Sequence, residues 1–366
     1  DNVMQSWELI QSSLIEPEKN FAGRITVDRG SGLQSSDITV VAIIRSSNKA
    51  SLDDPVFHKS RSGLHIEYSN KDTKEDTRME IIVYLRPWPK RSVDFFTIRT
   101  NALDVWIRGS MNWNFNNLVV HTTHGELMME TNPLEETYIA KNASISSTHG
   151  IILGAFVADE NLELRNEYGS IFAFLEGRHS VPFEPKTISI FTQSGDIWAA
   201  KVQGAWPVKP YTHRTDIKSI AGEIATQVAH GSYTAIASFK GKIVAYIITY
   251  AVSDTDAPSD IYTATSSGEI SVSVIDPQPD PYNEISPLAN TTSEHVVGMG
   301  SLDVKYGDTW TGEMHGGTRY GGWEVHMPPG EIHTGHDGDF NFRKGKGGKS
   351  EMLVSMGTGE VFVEVG

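Results

Sequence analysis

The chain has 366 residues, no cysteine and a formal net charge of −15. Without thiols it forms no disulfide, carries no thiolate nucleophile and builds no zinc–thiolate site. The acidic balance argues against nucleic acid and anionic membrane surfaces as partners, and no apolar run is long enough to insert into a membrane.

In chain order, Met4 to Leu14 is the one stretch with the spacing of an amphipathic helix. Alternating apolar and polar residues come next at Ile38–Ile44, Gly63–Tyr68 and Met79–Leu85, with the charged loop Ser69–Arg78 between the last two. Residues 1–92 therefore read as a small antiparallel sheet that caps an array of repeats beginning at residue 93. A solenoid end is a sheet edge and has to be covered. Arg86-Pro87-Trp88-Pro89-Lys90 breaks the pattern before it resumes at Phe95 and Leu103.

From there a short frame recurs around Gly125, Gly150, Gly169, Gly195, Gly222, Gly241, Gly268 and Gly359. The first seven are spaced 25, 19, 26, 27, 19 and 27 residues apart. Two residues after each glycine stands Leu127, Ile152, Ile171, Ile197, Ile224, Ile243, Ile270 or Val361. Five before it stands Val120, Ile145, Leu164, Ile190, Ile217, Ile236, Thr263 or Val354, apolar except for Thr263. Polar and apolar residues alternate on both sides, so each unit reads as strand, bend, strand, the glycine permitting the bend. One unit cannot bury its own apolar positions; stacked units can. Residues 93–366 thus read as one continuous all-β solenoid. It is interrupted by a Pro-rich loop at 276–287 and a Gly- and Lys-rich stretch at Arg343–Lys349.

Candidate chemistry is sparse. Carboxylates follow the glycine at Glu126, Asp196, Glu223, Glu269 and Glu360, where side chains beside a bend point to solvent. His315, His333, His336, Asp337 and Asp339 gather imidazole and carboxylate groups suited to a borderline metal, although the loop is glycine-rich and lacks a preorganising helix. His124 and His149 precede successive repeat glycines and are placed to stack on one face. Trp106, Trp113, Trp198, Trp206, Trp310 and Trp323, with Tyr211, Tyr233, Tyr306 and Tyr320, either fill the core or form an exposed platform for sugar rings or a partner protein. Asn142 and Asn290 head two N-glycosylation triplets. No nucleophile elbow or dinucleotide fingerprint is present, and no cofactor is expected.

Units such as Thr265-Ser266-Ser267-Gly268-Glu269-Ile270-Ser271-Val272, the segment Tyr306–Glu313 and the ending Met356–Val363 resemble adhesin-type β-solenoid domains of unknown function. The nearest resemblance is to uncharacterised fungal adhesin-domain-containing cell-surface proteins, in which an ectodomain typically follows a single membrane-spanning helix, so an N-terminal signal or membrane anchor is expected ahead of this segment. The chain departs from them by placing bulkier or charged residues at many Ser-Gly-Ser bends. The resemblance implies an extracellular or cell-surface glycoprotein without catalytic residues. Its expected work is adhesion, cell-wall association or self-assembly into filaments, with itself, cell-wall polysaccharide or a surface protein as partner. A carbohydrate-active or glycan-binding β-helix is the alternative. Val361–Val365 is the segment expected to offer an edge strand for assembly.

Overall fold

A computed structural model of the protein describes residues 4–13, 21–46, 55–68, 77–109, 111–130, 139–175, 186–201, 212–249, 258–276, 288, 290–328, 330–345 and 348–366. The charged loop at 69–76, most of the Pro-rich loop, Trp206 and Tyr211 lie outside the described residues. The chain divides into two compact units, Asp1–His179 and Ser180–Gly366.

The first unit contains β1 (Met4–Ser13), β2 (Phe21–Arg29), β3 (Ile38–Ser46), β4 (Val56–Ser60), β5 (Gly63–Tyr68), β6 (Thr77–Leu85) and β7 (Arg91–Thr100). It continues with β8 (Asp104–Ile107), β9 (Trp113–Thr122), β10 (Leu127–Met129), β11 (Ile139–Ser147), β12 (Ile152–Phe156), β13 (Ala158–Asn166) and β14 (Ile171–Leu175). Two ribbons of strands result. One runs β4-β5-β1-β7-β9-β11-β13, the other β3-β6-β2-β8-β10-β12-β14. All neighbours are parallel except β3 against β6 and β4 against β5. This is a β-solenoid whose rungs each give one strand to each ribbon.

Two expectations change. Met4–Ser13 is a strand, not a helix: Trp7, Leu9 and Gln11 alternate into the core, a period of two that outweighs the helical spacing. The antiparallel cap is also narrower than residues 1–92. Only β3 and β4 are antiparallel, and β1 and β2 insert as a full rung between β5/β6 and β7/β8.

The second unit contains β15 (Thr187–Ser194), β16 (Ile197–Lys201), β17 (Arg214–Ala221), β18 (Ile224–Ala229), β19 (Tyr233–Lys240) and β20 (Ile243–Ile248). Five long strands complete it: β21 (Ser259–Ile275), β22 (Thr291–Tyr306), β23 (Gly312–Met327), β24 (Glu331–Lys344) and β25 (Ser350–Val365). The ribbons β15-β17-β19 and β16-β18-β20 both join β21, each on one half of its length. From β21 the order runs β22-β25-β23 in parallel and ends on antiparallel β24.

The core obeys the repeat frame. Every residue two after a repeat glycine and every residue five before one is buried, Thr263 included. Burial of each aliphatic side chain contributes about 1.5–3 kcal/mol, and stacking puts each against the next rung rather than its own.

Candidate functional site

Three features run along the rungs: the glycine bends, an outward apolar row and a set of imidazoles. At the bends, a Cβ on Gly150 would overlap the carbonyl oxygen of Gly125, and one on Gly169 that of Gly150. In the second unit the series runs Gly195, Gly222, Gly241, Gly268, Gly300, Gly359 and Gly321, each from Gly222 onward abutting the carbonyl of the one before. There φ lies between 137° and 157°, a region that L side chains rarely adopt. Gly300 and Gly321 are absent from the sequence frame because His295 and Gly316 occupy the position five before them.

A polar column three residues before the glycine accompanies the bends: Thr122, Ser147, Asn166, Thr192, Ser219, Ser238 and Thr265, all buried. The Thr122 and Ser147 hydroxyls accept the N–H of Gly125 and Gly150, both at 2.9 Å. The Ser219, Ser238 and Thr265 hydroxyls instead donate to the Gly195, Gly222 and Gly241 carbonyls, at 3.4, 3.3 and 3.4 Å. Small polar residues recur at this position in the sequence, a signal the apolar columns overshadow.

Three residues after the glycine the side chains point outward. In the first unit Trp106, Met128, Leu153 and Phe172 sit in register on β8, β10, β12 and β14. Leu153 and Phe172 are exposed, as is Phe174 on the same face, and Trp106 and Met128 are half-buried. The Arg24 and Arg108 guanidiniums lie 5.0 and 4.2 Å from the Trp106 ring. Trp198 takes the corresponding frame position on β16 and is exposed. Of the other aromatic candidates, Trp113, Trp310 and Tyr306 are core, Trp323 and Tyr233 are half-buried, and Tyr320 is exposed.

The carboxylates beside the bends do not converge. Asp196 accepts the Glu223 N–H at 2.9 Å, and Lys242 lies 3.4 Å from Glu269, so the row is capped and partly neutralised along the stack. The His-rich region likewise disperses. His315, His326 and His333 each pair with the carboxylate two residues before them, Glu313 at 3.7 Å, Glu324, and Glu331 at 3.5 Å. His336 lies 3.2 Å from Asp337, whose Oδ1 accepts the Gly321 N–H at 2.7 Å, and Asp339 stands opposite Gly317. Among the described residues no three His, Asp or Glu side chains gather as a metal site.

His124 and His149 do stack, with centroids 4.6 Å apart and planes 5° apart, and Tyr168 extends the stack at 5.1 Å from His149. Sequence reasoning missed two further imidazoles. His295 is fully buried, its Nδ1 2.8 Å from Thr263 Oγ1 and its Nε2 3.1 Å from the Tyr306 hydroxyl, which donates to Ser293 Oγ at 2.7 Å. Burial holds its pKa down to about 3. Buried His230, whose Nδ1 meets Thr234 Oγ1 at 3.0 Å, is likewise depressed to about 3 by burial and then by His213. The sequence signal was Thr263, the polar exception in an apolar column, which stands beside His295 in the next rung.

Of the two glycosylation triplets, Asn142 lies within β11, between Asn117 and Asn161. Its Nδ2 donates to Asn117 Oδ1 at 3.1 Å and its Oδ1 accepts from Asn161 at 2.6 Å, so the acceptor nitrogen is engaged in an asparagine ladder. Asn290 is half-buried in the turn before β22.

No family model matches the chain, and no curated protein matches it. Among solved structures it is similar to a crystal structure described as a "putative cell adhesion protein" from Clostridium sporogenes, at 9% identity, covering 100% of this chain and 95% of that one. The TM-score of 0.19 is too low for that likeness to carry a structural argument. No helix among the described residues is long and apolar enough to cross a membrane.

Proposed function

We propose that the protein is a non-catalytic adhesion protein displayed outside the cell, which holds extended polysaccharide against the outward face of its second ribbon. The carrying observation is the in-register row Trp106, Met128, Leu153 and Phe172. Neighbouring strands stand about 4.8 Å apart, so the four side chains line a flat strip roughly 15 Å long rather than a pocket. A strip of this kind suits a polymer whose sugar faces lie on apolar and aromatic groups, with the Arg24 guanidinium at Trp106, and Arg108 held there by Asp28 at 3.1 Å, supplying donors at one end. The resemblance of the bends to adhesin-type solenoids supports the same reading.

Sedimentation of the full chain with insoluble cell-wall polysaccharides (chitin, cellulose and β-1,3-glucan) tests it. Retention by at least one, lost in the Leu153→Ser/Phe172→Ser double variant with unchanged thermal unfolding, is the expected result. Retention by none, or equal retention of the double variant, overturns the reading.

A further inference from the structure

Each unit ends on strands with one unpaired edge, and these edges are built differently. Among the described residues, β24 pairs only with β23. It carries Glu331, Asp337, Asp339, Arg343 and Lys344, and its backbone turns to positive φ at Asp337 (46°) and Gly338 (109°). Charges and an irregularity of this kind blunt an edge against strand addition. Val361–Val365, expected from sequence to be an edge, is instead paired by β22 along its length and by β23 as far as Glu364.

The β3 edge has less protection, its one charge being Arg45 near its end. Ile38-Thr39-Val40-Val41-Ala42-Ile43-Ile44 contains no charge, proline or glycine, the composition that adds strands readily. Among the described residues β3 pairs only with β6. Ile38, Val40, Ala42 and Ile44 stand opposite Leu85, Val83, Ile81 and Met79, all fully buried, yet none of the four is itself buried. Among the described residues the apolar core therefore runs out to this strand, where Ile38, Val40 and Ile44 are left half-buried and Ala42 exposed.

We propose that β3 pairs antiparallel with β3 of a second copy of this chain, closing a two-fold dimer centred on Val41. Backbone geometry restricts the register. Asp37 O accepts the Arg86 N–H at 2.9 Å, so the odd-numbered residues bond to β6 and the even-numbered ones turn their N–H and C=O to the free edge. Pairing about Val41 joins even with even, Ile38 with Ile44 and Val40 with Ala42, and continues the core row across the junction. It also sets Arg45 opposite Asp37, whose carboxylate already accepts from Arg91 of its own chain at 2.9 Å, so that Arg45 extends an existing ion pair; no shift by two residues brings these charges together, and no like charges are juxtaposed. The contact is isologous, so assembly stops at two and does not propagate as a filament.

At the two-fold, Val41 faces its own copy as a non-hydrogen-bonded pair, with Cα atoms about 4.5 Å apart, within disulfide reach. Because the protein has no cysteine, Val41→Cys introduces a single thiol. Analytical ultracentrifugation of the full chain is expected to show a dimer. Mild oxidation is expected to cross-link Val41→Cys quantitatively while leaving Leu33→Cys, a thiol at a 95% exposed position, monomeric on a non-reducing gel. Val41→Lys, at an exposed position, keeps the monomer fold and raises the dimer dissociation constant at least about tenfold by opposing two ammonium groups. A wild-type monomer at 100 µM, or a dimer that Val41→Lys leaves intact and Val41→Cys fails to cross-link, overturns the proposal.

Discussion

The two units turn the same sequence frame in different ways. In the first, β9 ends at Thr122 and β10 begins at Leu127, leaving four residues for the corner. In the second, β15 ends at Ser194 and β16 begins at Ile197, leaving two. By β21 the strand runs through Gly268 without a break. The wide corner is tied to the neighbouring rung by the N–H groups of the two residues before the glycine, as His149 N to Thr123 O at 2.9 Å, and the hydroxyl below it accepts the glycine N–H. The narrow bend needs no such support, because one glycine at φ near 150° turns the chain by itself. Its N–H then pairs directly with the next rung, as Gly222 N with Lys240 O, and the hydroxyl is left to donate weakly to a carbonyl. A glycine is required in both units for closeness of backbone, and in the second also for conformation.

That difference predicts a hierarchy of substitutions. Gly300→Ala meets both obstacles, overlap with the Gly268 carbonyl and a positive φ, while Gly150→Ala meets only overlap. Backbone strain alone costs about 1–3 kcal/mol. Urea unfolding is expected to rank Gly300→Ala as most damaging, by ~3 kcal/mol or more, then Gly150→Ala. Gly32→Ala, with no atom near its added Cβ, is expected within about 0.5 kcal/mol of wild type. If Gly150→Ala proves the worse of the first two, conformation is not a separate requirement of the narrow bend.

Acid is expected to separate the units next. His230 and His295 both belong to the second, with pKa values held at about 3 against 6.5 for a free imidazole. The unfolded chain binds these protons first, so their contribution is fully present above pH 6.5 and is lost as pH falls from about 6.5 toward 3. Each histidine contributes a slope near 1.4 kcal/mol per pH unit in that window. Limited proteolysis between pH 7 and 4 is expected to release fragments from 180–366 before fragments from 1–179. The Thr263→Val/His295→Val double variant, which makes the column apolar and leaves the Tyr306 hydroxyl still donating to Ser293, is expected to flatten the slope by about one proton. Its stability at pH 7 is expected to change by less than about 1 kcal/mol. An unchanged slope assigns the acid response elsewhere.

Removing the supporting hydroxyl gives a smaller contrast. Thr122 is fully buried, and its Oγ1 accepts the Gly125 N–H at 2.9 Å while donating to Leu103 O at 3.3 Å. Thr122→Val strands a buried N–H and is expected to cost about 1–2 kcal/mol in chemical denaturation. Ser219→Ala gives up one bond of 3.4 Å to a carbonyl and is expected to cost about 0.5 kcal/mol. Equal costs would mean that the hydroxyl column does the same work in both units.

The stacked-rung fold was legible because burial forces two apolar columns onto the repeat frame. The bend geometry was not, since Thr122-Thr123-His124-Gly125 and Lys218-Ser219-Ile220-Ala221-Gly222 look alike until φ is known. Gly300 was hidden by His295, a polar residue that a buried column admits only because Thr263 and Tyr306 meet both its nitrogens. The N-terminal rung was hidden by topology: no local pattern states that β1 will lie between β5 and β7, both later in the chain. The outward row needed register as well, because an exposed Leu153 has meaning only once Phe172 and Met128 stand beside it.

The smallest expected effect lies at the wide corner itself. Its extra residues turn the position before each glycine outward, giving His124, His149 and Tyr168, whereas the narrow bends place Ser194, Ala221 and Lys240 there. The imidazole Nδ1 atoms of these exposed residues donate to the Asn101 and Thr123 carbonyls at 3.2 and 3.3 Å, which fixes the tautomer. His149 is the middle ring, so His149→Ala removes two stacking contacts and one exposed hydrogen bond. Aromatic pairs are worth about 0.5–1.5 kcal/mol where buried and less where solvent reaches both faces. Denaturation of His149→Ala is expected to show a loss near 0.5 kcal/mol, with His149→Phe recovering most of it by keeping the ring while giving up the hydrogen bond. A full recovery assigns the corner's stiffness to stacking. No recovery assigns it to the Nδ1 bond, and the wide corner would then be held by backbone and tautomer alone, its ring faces unneeded for folding.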